Sequence, residues 1–312
     1  MPPSARQGPG PLDPERLLRA RPFGGRVDLA RVEPVSGFAH SGTAGFVRDA
    51  NGRRYKLRAA ASPARAREIE TLLGLAPRHF PGVVAREGRY LLIEALDEHR
   101  PLDREELLAR LDQIGAMAAE LHQAARRAAL PGPAARVRAT ARARIQLARD
   151  QALLARSGVV EAATRVALVR KLRVHRRRFG SPVAVEMDDL HKANFMLRPG
   201  DGDLRYVDEE GVAVRPRFTS LASLVKTADR EEHWRLFRAG YAAVGDASGI
   251  TPENTEYVVL LDTVRKVANK VRSGRALDAE RRSKLPAEID DLRRLVERSA
   301  PSLDFGFYRG PF

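Results

Sequence analysis

Cysteine is absent from the 312 residues. That excludes disulfides, thiolate metal sites and cysteine nucleophiles, and it fits a reducing cytosol, so a cytoplasmic location is expected. No run of about 18 consecutive apolar residues occurs, so no membrane-spanning helix is expected. Neither a G-x-S-x-G elbow nor a G-x-x-x-x-G-K-[ST] loop is present, which leaves hydrolase and P-loop readings without support. Aromatic residues make up only 6% of the chain, with one tryptophan. Lysine is scarcer still: of 55 basic residues, seven are lysines. The opening MPPSARQGPGPLDPE has no apolar core of the signal-peptide kind, and residues 1–25 read as a Pro/Gly-rich flexible tail.

What is there is the composition of a globular protein, 43% apolar and 30% charged, long enough for one large domain or two modest ones. The formal net charge of +15 is a reason to consider nucleic acid, because basic surfaces attract phosphate backbones. The Arg and Ala richness runs through the whole chain, however, and reads as compositional bias. The densest basic stretch, Arg170, Lys171, Arg173, Arg176, Arg177 and Arg178, is first of all a solvated helix face.

Two textures divide the chain. Residues 26–97 alternate short β-like runs with turns. Asn51-Gly52 signals a hairpin, and RYKLR after it alternates as a strand should. Ser62 and Pro63 then sit as N-cap and first helical residue before Ile69, Leu72, Leu73 and Ala76 at helical spacing. Two more strands follow, joined by Glu87-Gly88. A link near Leu96–Pro101 leads into residues 98–312, mostly helical, with a break at Pro131-Gly132-Pro133 and a short β-like interlude over PVAVEMDDLHKANFML and LRYVDEEGV. The expectation is an α+β chain, a small β-rich part with one helix followed by a larger helical part.

Five features carry chemistry. Gly37, Gly42 and Gly45, with Ser41 and Thr43 among them, form a glycine-rich turn between strand ends that lets peptide N–H groups approach a phosphate. Lys56 is the only lysine before position 171, on a strand whose Tyr55 and Leu57 face the other way. A compact ammonium suits a phosphate pair in a confined space. Glu68 and Glu70 flank the apolar stripe of the following helix; either could meet Lys56, and Glu68 lies slightly nearer the stripe. MDDLHKANF, residues 187–195, packs two carboxylates, an imidazole, an ammonium and an amide together. Asp208 follows in LRYVDEEGV. One carboxylate can orient a hydroxyl nucleophile while an amide oxygen and a second carboxylate hold Mg²⁺ on nucleotide phosphates. Zinc is not supported, since Asp188 or Asp189 with His191 lacks a second histidine or a convincing third ligand. His122, Trp234 and Phe237 read as packing residues.

The ordered set of glycine-rich hairpin, strand lysine, helix glutamate, D-L-H-x-x-N loop and later Asp resembles the aminoglycoside-phosphotransferase-like branch of the protein-kinase-like fold. The resemblance covers positions 35 to about 225. It implies a bilobal fold with an N-lobe over 26–97 and a C-lobe over 98–312. It implies an ATP- and Mg²⁺-dependent phosphotransferase acting on a hydroxyl of a small molecule, an aminoglycoside, sugar or similar compound. Gly37, Ser41, Gly42, Thr43 and Lys56 would hold phosphates, Lys56 would pair with Glu68, and the backbone of LLIEAL near Glu94–Leu96 would bond adenine. Asp189 would be the catalytic base, Asn194 and Asp208 the Mg²⁺ ligands, and His191 a support for the loop. The chain departs from the family at Met187 and Asp188, where the pattern has histidine and glycine, and at Glu209, where an aromatic is usual. Two alternatives follow: a kinase-like nucleotide-binding or regulatory protein without catalysis, and a kinase for an anionic acceptor such as a phosphosugar, a lipopolysaccharide core or RNA.

Overall fold

The computed structural model describes residue 23 and residues 29–33, 44–179, 183–225, 227–274 and 283–306, with backbone alone for 29–33 and 177–179. Apart from Phe23, the expected tail lies outside these residues, as do Gly37, Ser41, Gly42 and Thr43 of the glycine-rich turn. The chain begins with β1 (Leu29–Glu33), β2 (Ala44–Asp49), β3 (Arg54–Ala59), α1 (Pro63–Leu73), β4 (Val83–Glu87), β5 (Tyr90–Glu94) and β6 (Arg100–Pro101). Helices α2 (Arg104–Ala109), α3 (Leu111–Arg127), α4 (Pro133–Ser157) and α5 (Ala162–Phe179) follow. Next come β7 (Val183–Met187), a 3₁₀ turn (Lys192–Asn194), β8 (Phe195–Leu197), β9 (Leu204–Tyr206), a second 3₁₀ turn (Glu209–Gly211) and β10 (Val212–Pro216). The chain closes with α6 (Leu221–Leu224), α7 (Glu231–Val244), α8 (Pro252–Ser273) and α9 (Leu285–Glu297).

Contacts divide these elements into two units, Met1–Leu102 with Ala193–Val212, and Asp103–Lys192 with Ala213–Phe312. The sequence suggested a cut near residue 97 with everything after it in the helical part. The segment 193–212 instead belongs with the strands, because its backbone bonds run there: Tyr206 N–H donates to His79 O (2.8 Å) and Leu102 N–H to Phe195 O (3.2 Å).

The first unit holds an antiparallel sheet in the order β1-β2-β3-β5-β4 and a small sheet β6-β8-β9. The β2–β3 turn closes because Gly52 takes a positive φ of 80° and Asp49 Oδ1 accepts the Asn51 and Arg53 N–H groups at 2.9 Å. Strand alternation sends Tyr55 and Leu57 into a core with Phe23, Val47, Ala85 and Leu92. Lys56 and Arg58 therefore emerge on the other face. Helix α1 starts where Ser62 Oγ accepts the Arg65 N–H (3.1 Å), with Pro63 in its first turn, and it buries Ala66, Ile69, Leu72 and Leu73.

In the second unit α3 and α7 make the most extensive pairing, and α4, α5, α6 and α9 all pack on α8. Trp234 and Phe237, on α7, are buried as packing residues. Strands β7 and β10 pair, and α3 and α4 lie against β7. No described helix is long and apolar enough to cross a membrane.

Candidate active site

In the first unit the chemistry collects around the end of the β8–β9 hairpin. Phe195 pairs with Tyr206 across it, and one step further Val207 N–H donates to Asn194 O (2.9 Å). The register thus brings Asn194 to the same end of the hairpin as Asp208. Aromatic packing fixes that end. The Tyr206 ring meets Phe195 edge-on at 5.4 Å and Phe80 at 6.1 Å, and Arg205 donates to Pro77 O (2.8 Å) and Phe80 O (3.3 Å).

Lys56 reaches this end from β3. Its Nζ donates to Glu209 Oε1 (2.8 Å), Glu209 Oε2 (2.9 Å) and Val207 O (3.1 Å). The lysine therefore grips the residues on both sides of Asp208. Two strand positions on, Arg58 lies 3.7 Å from Glu209 and 2.6 Å from Glu210. The Glu209 side chain is fully buried, a position a carboxylate holds only with cations around it.

The expected Lys56–Glu68 pair is corrected by this arrangement. Glu68 is exposed on α1 and pairs with Arg65 at 2.9 Å, while the other Arg65 bonds anchor the α1 start to Glu210 O (2.9 Å) and Val212 O (3.0 Å). Sequence reasoning noticed Glu209 only as a departure from the family pattern. The available signal was a carboxylate directly after Asp208, in reach of a strand that presents both Lys56 and Arg58 on one face.

Burial pushes the Asp208 carboxyl above its ordinary range, and the Glu209 carboxylate beside it pushes further; Arg58, the Gly211 peptide and Lys56 pull the other way. Glycine at 211 leaves these groups their place: a Cβ there would stand 2.5 Å from Asp208 Oδ2 and 2.6 Å from the Tyr206 hydroxyl, and the side chains would have to shift. Among the described residues no group of three or more His, Asp or Glu side chains is placed to hold a metal ion by itself. The donor set at the hairpin end, one amide oxygen and one half-buried carboxylate raised by its surroundings, fits a hard cation that takes its other ligands from phosphate and water. At the edge, Glu94 N–H donates to Gly82 O (2.9 Å), and Leu96 O accepts from His99 N–H (3.0 Å) with a second lone pair left over.

In the second unit the loop after β7 carries the remaining residues. Met187 is 2% exposed and closes the strand into the core. The two aspartates then diverge. Asp188 is half-buried and takes Arg215 at 2.8 Å. Burial raises its carboxyl above the ordinary range against the pull of Arg215 and Arg265, with Asp262 and Asp189 adding to the rise. Asp189 is exposed, and Leu190 after it is wholly buried. His191 follows, half-buried, at the entry to the first 3₁₀ turn. In this loop Asp188 is committed to the Arg215 ion pair, while Asp189 is an exposed residue.

No protein-family profile and no curated protein sequence matches the chain. Solved structures do. A choline kinase from Streptococcus pneumoniae superposes with a TM-score of 0.64 at 15% identity, over 90% of this chain and 99% of its own. An aminoglycoside phosphotransferase from Alicyclobacillus acidocaldarius gives 0.54 at 16% identity, over 93% and 98%. An amicoumacin kinase, solved in complex with AMP-PNP, Ca²⁺ and Ami, gives 0.59 at 12% identity, over 91% and 94%. These likenesses show the fold: the chain is built as a protein-kinase-like fold of the kind shared by small-molecule kinases.

Proposed function

We propose that the chain transfers the γ-phosphoryl group of ATP to a hydroxyl of a small molecule. The observation that carries this reading is the grip of Lys56 on both neighbours of Asp208, which sets an ammonium and a carboxylate side by side at the hairpin end that also carries Asn194. Phosphoryl transfer needs little covalent help from protein; positioning and charge stabilisation supply most of it. Lys56 would hold the nucleotide phosphates. Asn194 and Asp208 would hold Mg²⁺, whose chemistry is to offset the charge of the phosphate oxygens. Asp189, the exposed aspartate of its loop, would accept the proton of the acceptor hydroxyl. The new bond joins that oxygen to the γ-phosphorus, the bridging P–O bond breaks, and ADP leaves. The nucleotide analogue and divalent cation bound by the amicoumacin kinase support the cofactor assignment.

Incubation with ATP and Mg²⁺ and a panel of cationic, neutral and anionic hydroxyl compounds tests the reading through ADP formation. Asp189→Asn and Asp208→Asn should each lower turnover by at least about 100-fold with the fold intact by circular dichroism. Normal turnover in either variant refutes its role. A second reading, nucleotide binding without transfer, is favoured by one observation: Glu209 already takes two hydrogen bonds of the Lys56 ammonium. Tight ATP binding with no ADP formed against any acceptor would establish it.

A further inference from the structure

The loop that carries Asp189 has methionine where the resembled pattern places a supporting histidine, and Met187 is buried without a polar atom to offer. The second unit supplies support from elsewhere. Beside Met187, Glu186 points its carboxylate into the interior, 1% exposed. Three donors meet it: Phe218 N–H at 2.7 Å, Ser220 Oγ at 2.7 Å and His122 Nε2 at 2.9 Å. Burial alone would raise this carboxyl, but His122 and the hydrogen bonds outweigh it and hold the group below its ordinary value. The contacts continue in both directions. His122 Nδ1 meets the Tyr241 hydroxyl at 2.6 Å, which also accepts from Arg217 at 3.0 Å. Toward the loop, Ser223 Oγ donates to Ser220 O (2.8 Å) and accepts the Leu190 N–H (2.7 Å).

Leu190 is the residue after Asp189, so this chain of bonds ends on the peptide unit that joins the two. A second, independent feature marks the same place. Phe218 is a non-glycine residue at φ 66°, a left-handed conformation that its side chain disfavours. It is kept there by its bond to Glu186, by ring contacts with His122 (6.0 Å) and Tyr241 (5.7 Å), and by Gly249, where a Cβ would stand 2.5 Å from the Phe218 ring. Strain of this kind persists only where surrounding structure over-determines it.

We infer that Glu186, with His122, is a positioning residue for the Asp189 loop, acting through Ser220 and Ser223 on the Leu190 peptide. The inference rests on the phosphotransfer reading for its catalytic consequence, but the holding of the loop is separate from that reading. Glu186 fixes the Phe218–Ser223 turn, and the turn fixes the loop through one hydroxyl acceptor. Substrate never needs to touch Glu186 or His122.

The decisive variants are Ser223→Ala, which removes the acceptor, and Ser223→Thr, which restores a hydroxyl. Two quantities are measured on the full chain: hydrogen exchange of the Leu190 amide, and kcat and KM for ATP with the best acceptor of the panel. Ser223→Ala is expected to speed Leu190 exchange about tenfold, the worth of one hydrogen bond, and to lower kcat by a similar factor while KM for ATP stays within about twofold. Ser223→Thr recovers both. Glu186→Gln, which keeps the shape but removes the charge, is expected to move both quantities in the Ser223→Ala direction. If Leu190 exchange is unchanged in Ser223→Ala, the inference is overturned whether or not the chain transfers phosphate. Faster exchange with full kcat overturns the catalytic consequence. An inactive wild type whose Leu190 exchange still responds removes the phosphotransfer reading and leaves the holding of the loop established.

Discussion

Glu209 holds a place that the sequence assigned to Glu68, and the difference decides what a substitution should do. A carboxylate with no exposed surface, bonded to Lys56 and within 3.7 Å of Arg58, sets where the ammonium stands. Glu209→Gln keeps the volume and loses the charge, so Lys56 is no longer held beside Asp208. KM for ATP is expected to rise about tenfold, a charge-assisted bond being worth roughly that much. Glu68→Ala, which loses only an exposed pair with Arg65, should stay within about twofold. Equal effects in steady-state kinetics would show that Glu209 does not position the lysine. A second residue of the same unit gives a pH signature. Burial, helped by Arg78 and Arg205, pulls the His79 ring from 6.5 down to about 4, against Asp203. The unfolded chain therefore binds a proton between those values that the folded chain refuses. Stability is complete above about pH 6.5 and falls as the pH drops toward about 4. Melting temperature across this window should slope more gently in His79→Asn, since the His79 carbonyl that accepts Tyr206 N–H is kept. An identical slope would remove His79 as the cause.

At the scale of elements, close helix contact depends on what is missing from two side chains. A Cβ on Gly240 of α7 would stand 1.8 Å from Asp112 O of α3, and one on Gly115 of α3 would stand 2.1 Å from Phe237 O. Backbone cannot yield as a flexible side chain does, so Gly240→Ala should cost at least about 2 kcal/mol in urea unfolding. A cost under about 0.5 kcal/mol would mean that the helices separate freely. Elements of this kind were partly legible in the sequence. The start of α1 showed in Ser62-Pro63, the β2–β3 turn in Asn51-Gly52, and the face of Lys56 in its alternation with Tyr55 and Leu57, because these are local signals set by neighbours along the chain. The partner of Lys56 was not legible: Glu209 is 153 residues away, and only the return of β8 and β9 to the first unit brings it there. His122 was read as a packing residue for the same reason. Nothing in AAELHQA reveals that Glu186 will lie against it.

The whole molecule is two units of which neither is a continuous stretch of chain. The first takes Ala193–Val212 from beyond four helices, and with it Asn194, Asp208, Glu209, Phe195 and the Tyr206 ring that meets Phe80. A fragment of residues 1–102 keeps Lys56 and loses every one of these partners. It should neither fold cooperatively nor bind ATP, and a folded, ATP-binding fragment would show that the returning segment is dispensable. In the full chain the same geography says which unit a nucleotide should stabilise. The residues assigned to phosphate and metal, Lys56, Asn194 and Asp208, all belong to the first unit, so ATP with Mg²⁺ should raise its unfolding transition. A ligand at 100 times its Kd adds about 2.7 kcal/mol, which for a chain of this size is a shift of roughly 4–8 °C. Chelating Mg²⁺ with EDTA should remove most of the shift, and Asp208→Asn should remove the part that depends on Mg²⁺ while leaving a smaller response to ATP alone. Asp189→Asn, on the second unit, should leave the ATP·Mg²⁺ shift intact. If Asp189→Asn abolished the shift and Asp208→Asn spared it, the metal and base assignments would have to be exchanged.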